Sequence, residues 1–293
     1  MKKAIISAAL MATTALASAQ VTVYGRLNAT VDSTKTGAAT VNSMINDASR
    51  IGFRSSEDLG SGLTARAVVE TSVASTDPTV GSNTQLGNRT STVGLSSKLG
   101  SVDIGRNLHG LHTTLADADA FAAFYGSVAG DVHNTRGLRL GNAAFVRFTP
   151  MQGVGVGIDR TYTATGAEAT VYSATATVAG IAVSAARFDQ GVEKSTVATA
   201  VMGRGNSRLF YSYSDNSGAT AKKGHLVGVS HRLGAVTAKA SFGRTDQDLQ
   251  AYAVGAEYAF SKRTDLQVSY RNVDAAGTTA DVKQVGVGIT HRF

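Results

Sequence analysis

The chain has 293 residues, a formal charge of +7, no cysteine, no tryptophan, and only 2 prolines against 32 glycines. The lack of cysteine excludes disulfide staples and thiolate chemistry. Scarce proline suits long paired strands, because proline donates nothing to a ladder. The arginines are dispersed along the chain, which argues against a nucleic-acid-binding stretch.

The N-terminus reads as an export signal. Lys2 and Lys3 form a basic n-region, Ala4 to Leu16 is a small-residue apolar stretch, and Ala17-Ser18-Ala19 is an A-x-A cleavage site. Residues 1–19 are therefore expected to be removed, leaving a single domain over 20–293 with a charge of +5. No later stretch offers the ~20 consecutive apolar residues of a spanning helix.

From Gln20 onward the pattern has period 2, in segments of roughly eight to twelve residues, as transmembrane barrels show. Val21, Val23, Leu27 and Val31 oppose Thr22, Tyr24, Arg26 and Asn28. With Ile51 and Phe53 facing lipid, Arg50 and Arg54 face inward; with Ala65, Ala67 and Val69 outward, Arg66 and Glu70 face inward. Val146 and Phe148 outward turn Arg147 inward, and Arg139 shares its parity. Val236, Ala238 and Phe242 outward turn Lys239 inward, and Val268 with Tyr270 does the same for Arg271. Arg106 breaks the rule by sharing parity with Ile104, and is expected where its strand ends. The last segment alternates Val285, Val287, Ile289, His291 and Phe293 against Gln284, Gly286, Gly288, Thr290 and Arg292.

Seven short turns recur, at residues 58–62, 98–101, 150–153, 178–180, 203–206, 232–235 and 261–263. Eight polar connections separate them: 33–48, 74–88, 107–138, 163–169, 189–194, 215–223, 244–248 and 274–280. Fifteen connections join sixteen strands. The expected fold is all-β: a 16-stranded antiparallel transmembrane β-barrel, closed because each unpaired backbone group in lipid costs several kcal/mol. A thin apolar face rich in Ala, Val and Gly suits a barrel around water better than a dense sandwich core.

The third and longest connection, 107–138, is expected to be functional. Its Ala-rich middle, Thr113 to Tyr125, could form a short helix and fold into the lumen, with Leu115, Phe121, Phe124 and Tyr125 against the wall. Asp117 and Asp119 would face water, and Asp131 adds a third acid. Inward acids by parity are fewer than inward bases: Glu70, Asp159 and Glu257. An excess of fixed positive charge favours anions over cations.

Other signals carry little. Gly153 to Gly157 is glycine-rich at strand spacing, with no helix after it to make a nucleotide loop. His109, His112 and His133 lack the ligand set of a metal site. No nucleophile motif stands out. Neither an enzyme nor a cofactor is expected.

Several stretches together resemble the Gram-negative general porins, in particular those of Burkholderia and Comamonas relatives. They are Val21-Thr22-Val23-Tyr24-Gly25-Arg26, Ser49 to Gly60, Gly94-Leu95-Ser96 with Ile104-Gly105-Arg106-Asn107, Tyr258 to Thr264, and the terminal His291-Arg292-Phe293. The resemblance implies a homotrimer, an inward-folded third loop, and an arginine ladder facing acids of that loop. By motif, Arg26, Arg50, Arg106 and Arg139 match the ladder, with Asp117 and Asp119 as counterparts. The family's Pro-Glu-Phe-like loop pattern is absent here. The expected function is passive, weakly anion-selective diffusion of ions and small hydrophilic solutes across an outer membrane of lipid and lipopolysaccharide. Alternatives are a substrate-selective porin and an adhesive or structural barrel with a closed lumen.

Overall fold

The computed structural model describes residues 20–76, 85–133, 137–164, 166, 168–219, 221–275 and 281–293. The export signal expected at 1–19 lies outside them, as do parts of the connections at 74–88, 107–138, 163–169, 215–223 and 274–280. Among the described residues no helix is long and apolar enough to cross a membrane.

Strand β1 (Gln20–Thr36) is paired along its first half with β3 (Arg50–Gly60) and along its second with β2 (Ala39–Ile45). Together β2 and β3 are one barrel strand, broken at 46–49. The rest follow as antiparallel neighbours: β4 (Leu63–Ser72), β5 (Thr90–Ser97), β6 (Gly100–Leu108), β7 (Arg139–Met151), β8 (Val154–Thr161), β9 (Thr170–Val178), β10 (Ile181–Gln190), β11 (Glu193–Arg204), β12 (Ser207–Asn216), β13 (Lys222–Leu233), β14 (Val236–Thr245), β15 (Gln250–Ala259), β16 (Thr264–Asp274) and β17 (Val282–Arg292). β17 returns to β1, from Arg26 opposite Arg292 to Thr36 opposite Val282. The seam continues through Gly25 and Phe293, whose backbones exchange two hydrogen bonds of 3.0 and 3.2 Å. The result is the closed 16-stranded antiparallel barrel expected from the pattern.

Several connections are tighter than the sequence suggests. β1 runs on to Thr36, reverses at Gly37-Ala38 and returns as β2, so most of 33–48 is hairpin. Gly191-Val192 alone joins β10 to β11, and Asp246 to Leu249 joins β14 to β15. In each case the strand continues through polar residues, because a ladder needs only backbone groups once it has left the lipid.

The outward faces carry the apolar belt. Val23, Leu27, Val93, Ile104, Ile158, Val254 and Ile289 are all between 42 and 63% exposed, while Asn28, Thr30, Asp159, Ser212 and Thr290 on inward faces are at most 1% exposed. This inverts the soluble pattern, as lipid-facing alternation requires. Aromatic residues rim the belt at the two ends. Tyr258 packs edge-on to Phe260 at 5.0 Å near the short turns, and Tyr252 meets Tyr270 at 6.0 Å toward the other end.

What core exists lies between the wall and the connection from β6 to β7. That segment forms α1 (Gly110–Asp117) and α2 (Ala129–Val132). α1 begins three residues earlier than the Ala-rich stretch suggests, because His109 caps it: its Nδ1 accepts from the His112 N–H at 3.3 Å. Leu111 and Leu115 pack with Phe145, Val171, Phe188 and Val197 of the wall. Phe121, Val128 and Val132 pack with Phe210, Leu226, Ala251, Ala253 and Val273. These partners lie opposite in parity to the lipid-facing residues, so the segment rests on the inner wall over β7 to β16.

Glycines provide the sockets. A Cβ at Gly243 would overlap Val132, one at Gly255 would sit 3.0 Å from the Phe121 ring, and one at Gly286 would overlap the Tyr125 hydroxyl. We expect Gly243→Val to lift α2 from the wall. Overpacking of this kind costs about 1–3 kcal/mol. The check is protease cleavage within the loop of the folded barrel, faster in the variant; an unchanged rate contradicts the socket.

Candidate functional site: the basic wall and its loop

The inward faces of β1 to β7 carry most of the guanidinium groups, and the loop covers the facing wall. Arg50 Nε lies 3.5 Å from Glu70 Oε2, and Arg89 Nε donates to Glu70 Oε1 at 2.7 Å. Tyr24 donates its hydroxyl to the same carboxylate at 3.2 Å. Arg106 and Arg139 are close enough to this group that Arg139 interacts electrostatically with Arg89, Glu70, Arg106 and Arg50. Arg50 and Arg89 contact Glu70, Arg139 interacts with it through space, and Arg106 lies beside Arg139, so four guanidiniums gather near one carboxylate.

The other sequence-selected bases differ in how free they are. Arg54 lies over the Tyr24 ring at 5.5 Å. Arg66 is bound to Asp103, with Nε–Oδ1 at 2.8 Å and a second, shorter contact. Arg147 pairs with Asp159, and Lys239 with Glu257. Arg26 is 4% exposed, clamped between the Phe124 ring at 4.0 Å and Asp47 Oδ2 at 3.3 Å. Arg271 donates to Ser127 O at 2.9 Å and Asp131 Oδ2 at 3.0 Å. Arg26 and Arg271 thus tie the loop to the wall.

The parity argument fails at two of these residues. The β6–β7 register shifts between Gly105 and Asn107, where two steps of β6 face three of β7. Gly105 has φ +133° and Asn142 φ +49°. This bulge breaks alternation on both strands, as bulges do. It frees Arg106 from the lipid-facing parity of Ile104, and its Nε donates to Asn88 O at 2.8 Å. Counting from Arg147 to Arg139 therefore has no force, because the extra residue lies between them. What sets Arg139 beside the cluster is its neighbours, which include His112 on α1.

The loop acids also divide. Asp117 is exposed, and burial of its surroundings raises its carboxyl above the usual range. Asp131 is engaged by Arg271. Asp119 does not face water: it is 3% exposed and accepts from the N–H of Phe121 at 3.2 Å, the N–H of Ala123 at 2.8 Å and the Ser127 hydroxyl at 2.6 Å. It holds the turn between the two helices. Ala122 and Ala123, both at positive φ, sit inside that turn, and the turn's need for an acceptor recruits Asp119. We expect Asp119→Ala to leave three donors short of a partner, at about 1–3 kcal/mol for each one left buried. Its signature is faster amide hydrogen exchange at Phe121 and Ala123 in the folded barrel, and an unchanged rate contradicts the role.

Further anchors pin the loop. The Gly110 N–H donates to Asp159 Oδ2 at 2.7 Å, and the Tyr125 N–H to Asp47 Oδ2 at 3.1 Å. His133 lies between Ser214 Oγ at 2.7 Å and Ser212 Oγ at 2.8 Å. Asp103 is missing from the inward acids read by parity, although alternation from Ile104 is the signal that finds it. Asp47 lies in a stretch that reads as loop, and Arg89 follows one at its edge with the parity of the outward Val93, so parity did not mark either as inward. Among the described residues no group of three His, Asp or Glu side chains could hold a metal ion.

A family model described as Gram-negative porin matches residues 7–293. The major outer membrane protein P.IB of Neisseria lactamica is 28% identical over 346 aligned positions, covering 100% of each chain. Among solved structures, the anion-selective porin from Comamonas acidovorans matches with a TM-score of 0.79 at 20% identity, covering 94% of this chain and 100% of that one. OmpT of Vibrio cholerae in its trimer form matches with a TM-score of 0.67 at 13% identity, covering 94% and 99%.

Proposed function

Because this chain belongs to the Gram-negative porin family and is an outer-membrane β-barrel, we propose that it forms a water-filled pore for passive diffusion of ions and small hydrophilic solutes, weakly selective for anions. Its relatives are channels rather than enzymes, and passive diffusion needs no cofactor. The observation that carries the reading is the cluster of Arg50, Arg89, Arg106 and Arg139 around the single carboxylate Glu70.

The physics is local. Most inward charges cancel in pairs: Arg66 with Asp103, Arg147 with Asp159, Lys239 with Glu257, Arg271 with Asp131. At the cluster the positive charge exceeds the negative, so an anion crossing there is favoured and a cation is not. The loop narrows the lumen opposite, forcing ions past the arginines. The name of the Comamonas relative, an anion-selective porin, agrees with this sign. We also propose a homotrimer. The sequence resemblance and the trimer form of OmpT support it.

The test is solute flux. Proteoliposomes should swell in sugars of increasing size at rates that fall smoothly with size and do not saturate. Saturation for one sugar alone would overturn general diffusion in favour of a selective pore.

A further inference from the structure

Between the loop and the short turns, the opposite wall carries basic residues that the cluster does not include. Register sets them side by side. Arg208 on β12 faces Ser230 on β13, which faces Lys239 on β14. One step nearer the turns, Arg232 faces Thr237, which faces Glu257. Neighbouring strands lie about 4.8 Å apart, so the three cations project from a patch roughly 10 Å wide.

They line one cavity of about 450 Å³, roofed by Asp119 and Ala120 of the loop and flanked by the turn residue Asn206. Through Arg232 and Glu257 it continues into a second cavity of about 580 Å³ at the mouth, where Lys262, Asp265 and Arg292 lie.

Three of the nearby carboxylates are already engaged. Glu257 pairs with Lys239, Asp265 pairs with Arg292, and Asp119 accepts from its own loop. Asp117 reaches Arg208 only through space, without an ion pair among the described residues. Arg208 lies over the Phe210 ring at 4.9 Å, and Arg232 donates Nε–H to Gly234 O at 3.1 Å. Both guanidiniums are thereby oriented while their remaining donors stay open to the lumen.

We propose that Arg208 and Arg232, beside the Lys239–Glu257 pair, form a second anion station, on the short-turn side of the loop, that takes small multivalent oxyanions. The inference rests on the pore reading for its consequence but not for its binding chemistry. Guanidinium forks match the oxygens of a phosphoryl or carboxyl group, and two forks in one cavity reward a ligand carrying more than one charge. Chloride gains from one fork at a time and passes; a multivalent oxyanion bridges them and dwells. Short turns face the periplasm in such barrels, so the station meets anions entering from that side before they reach the Arg50 cluster. The pore would then be asymmetric toward multivalent anions.

The test uses inorganic pyrophosphate and the folded, detergent-solubilised barrel. Equilibrium dialysis should show binding that weakens at least fivefold in R208Q/R232Q and returns only in part in R208K/R232K, which restores the charge without the fork. R263Q, in the short turn between β15 and β16, should bind as the unaltered chain does. In oriented bilayer insertions, pyrophosphate on the short-turn side should reduce chloride current more than the same concentration opposite, and R208Q/R232Q should abolish the difference. Equal binding in R208Q/R232Q and the unaltered chain would overturn the station. So would loss of binding in R106Q/R139Q alone, which would assign the ligand to the other wall. A barrel that conducts no chloride would defeat the pore reading, while dialysis would still decide the station.

Discussion

Replacing Arg106 and Arg139 together by glutamine is expected to weaken the anion preference severalfold, and R139E, which changes the charge by the same two units, is expected to weaken it by a similar amount. Around Glu70 the cluster holds four guanidiniums, so two neutral substitutions leave Arg50 and Arg89 against one carboxylate. A unit charge about 7 Å from a passing ion contributes roughly 0.6 kcal/mol in water and about 2.4 kcal/mol at an effective dielectric of 20. A change of about 1 kcal/mol per charge is about fivefold in relative permeability at 25 °C. The effect should shrink as salt rises, because the Debye length falls from about 10 Å at 0.1 M to about 3 Å at 1 M. Bilayer reversal potentials at both ionic strengths check the prediction. By contrast, R66Q should have a smaller effect, since it removes one member of a neutral pair and leaves Asp103 behind. If R66Q and R106Q/R139Q shift the reversal potential equally, the cluster holds no special place.

The second large effect concerns pH. His133 is 1% exposed, and burial together with the nearby Lys222 and His225 lowers its pKa to about 4. As a neutral ring it donates to one serine and accepts from the other. The protonated ring could donate to both, so the penalty for charging it is desolvation and repulsion, not a lost hydrogen bond. The unfolded or undocked histidine titrates near 6.5 and so binds protons more readily than the docked one between about pH 6.5 and 4. The docking stability that His133 supplies is therefore complete above pH 6.5. It declines as pH falls through that window and is gone below about 4. The full difference is on the order of 3 kcal/mol. His112, also lowered to about 4 by burial and by His109 and Arg139, adds in the same direction at α1. Single-channel traces should show the loop loosening as added noise or extra conductance levels toward pH 4. H133Q, which keeps a donor and an acceptor but does not titrate, should move the onset to lower pH. An onset unchanged in H133Q would contradict the assignment.

Much of the barrel was readable because strand parity is a local signal. Ile51 and Phe53 outward were enough to send Arg50 and Arg54 inward, and Val268 sent Arg271 inward. Parity failed where the ladder itself failed. The bulge at Gly105 and Asn142 cannot be seen in the alternation of Arg106 or Arg139, since it depends on the pairing of two strands. Arg208 was hidden for a different reason. It shares its face with Phe210, an inward apolar residue that exists to hold the loop. An apolar residue inside a water-filled barrel mimics a lipid-facing one, so the pattern gives the wrong sign wherever the loop rests on the wall. Asp119 shows the same limit: its neighbours along the chain, not its charge, decide that it accepts from Phe121, Ala123 and Ser127.

The central claim is an open, anion-preferring lumen lined by the Arg50–Arg106–Arg139 wall. Single-channel recording of the folded barrel in a potassium chloride gradient tests it most directly. The expected record is discrete, ohmic openings whose reversal potential lies on the chloride side of zero, moving toward zero in R106Q/R139Q. Folded barrels that insert yet never conduct, or that conduct with a potassium-side reversal potential, would contradict it.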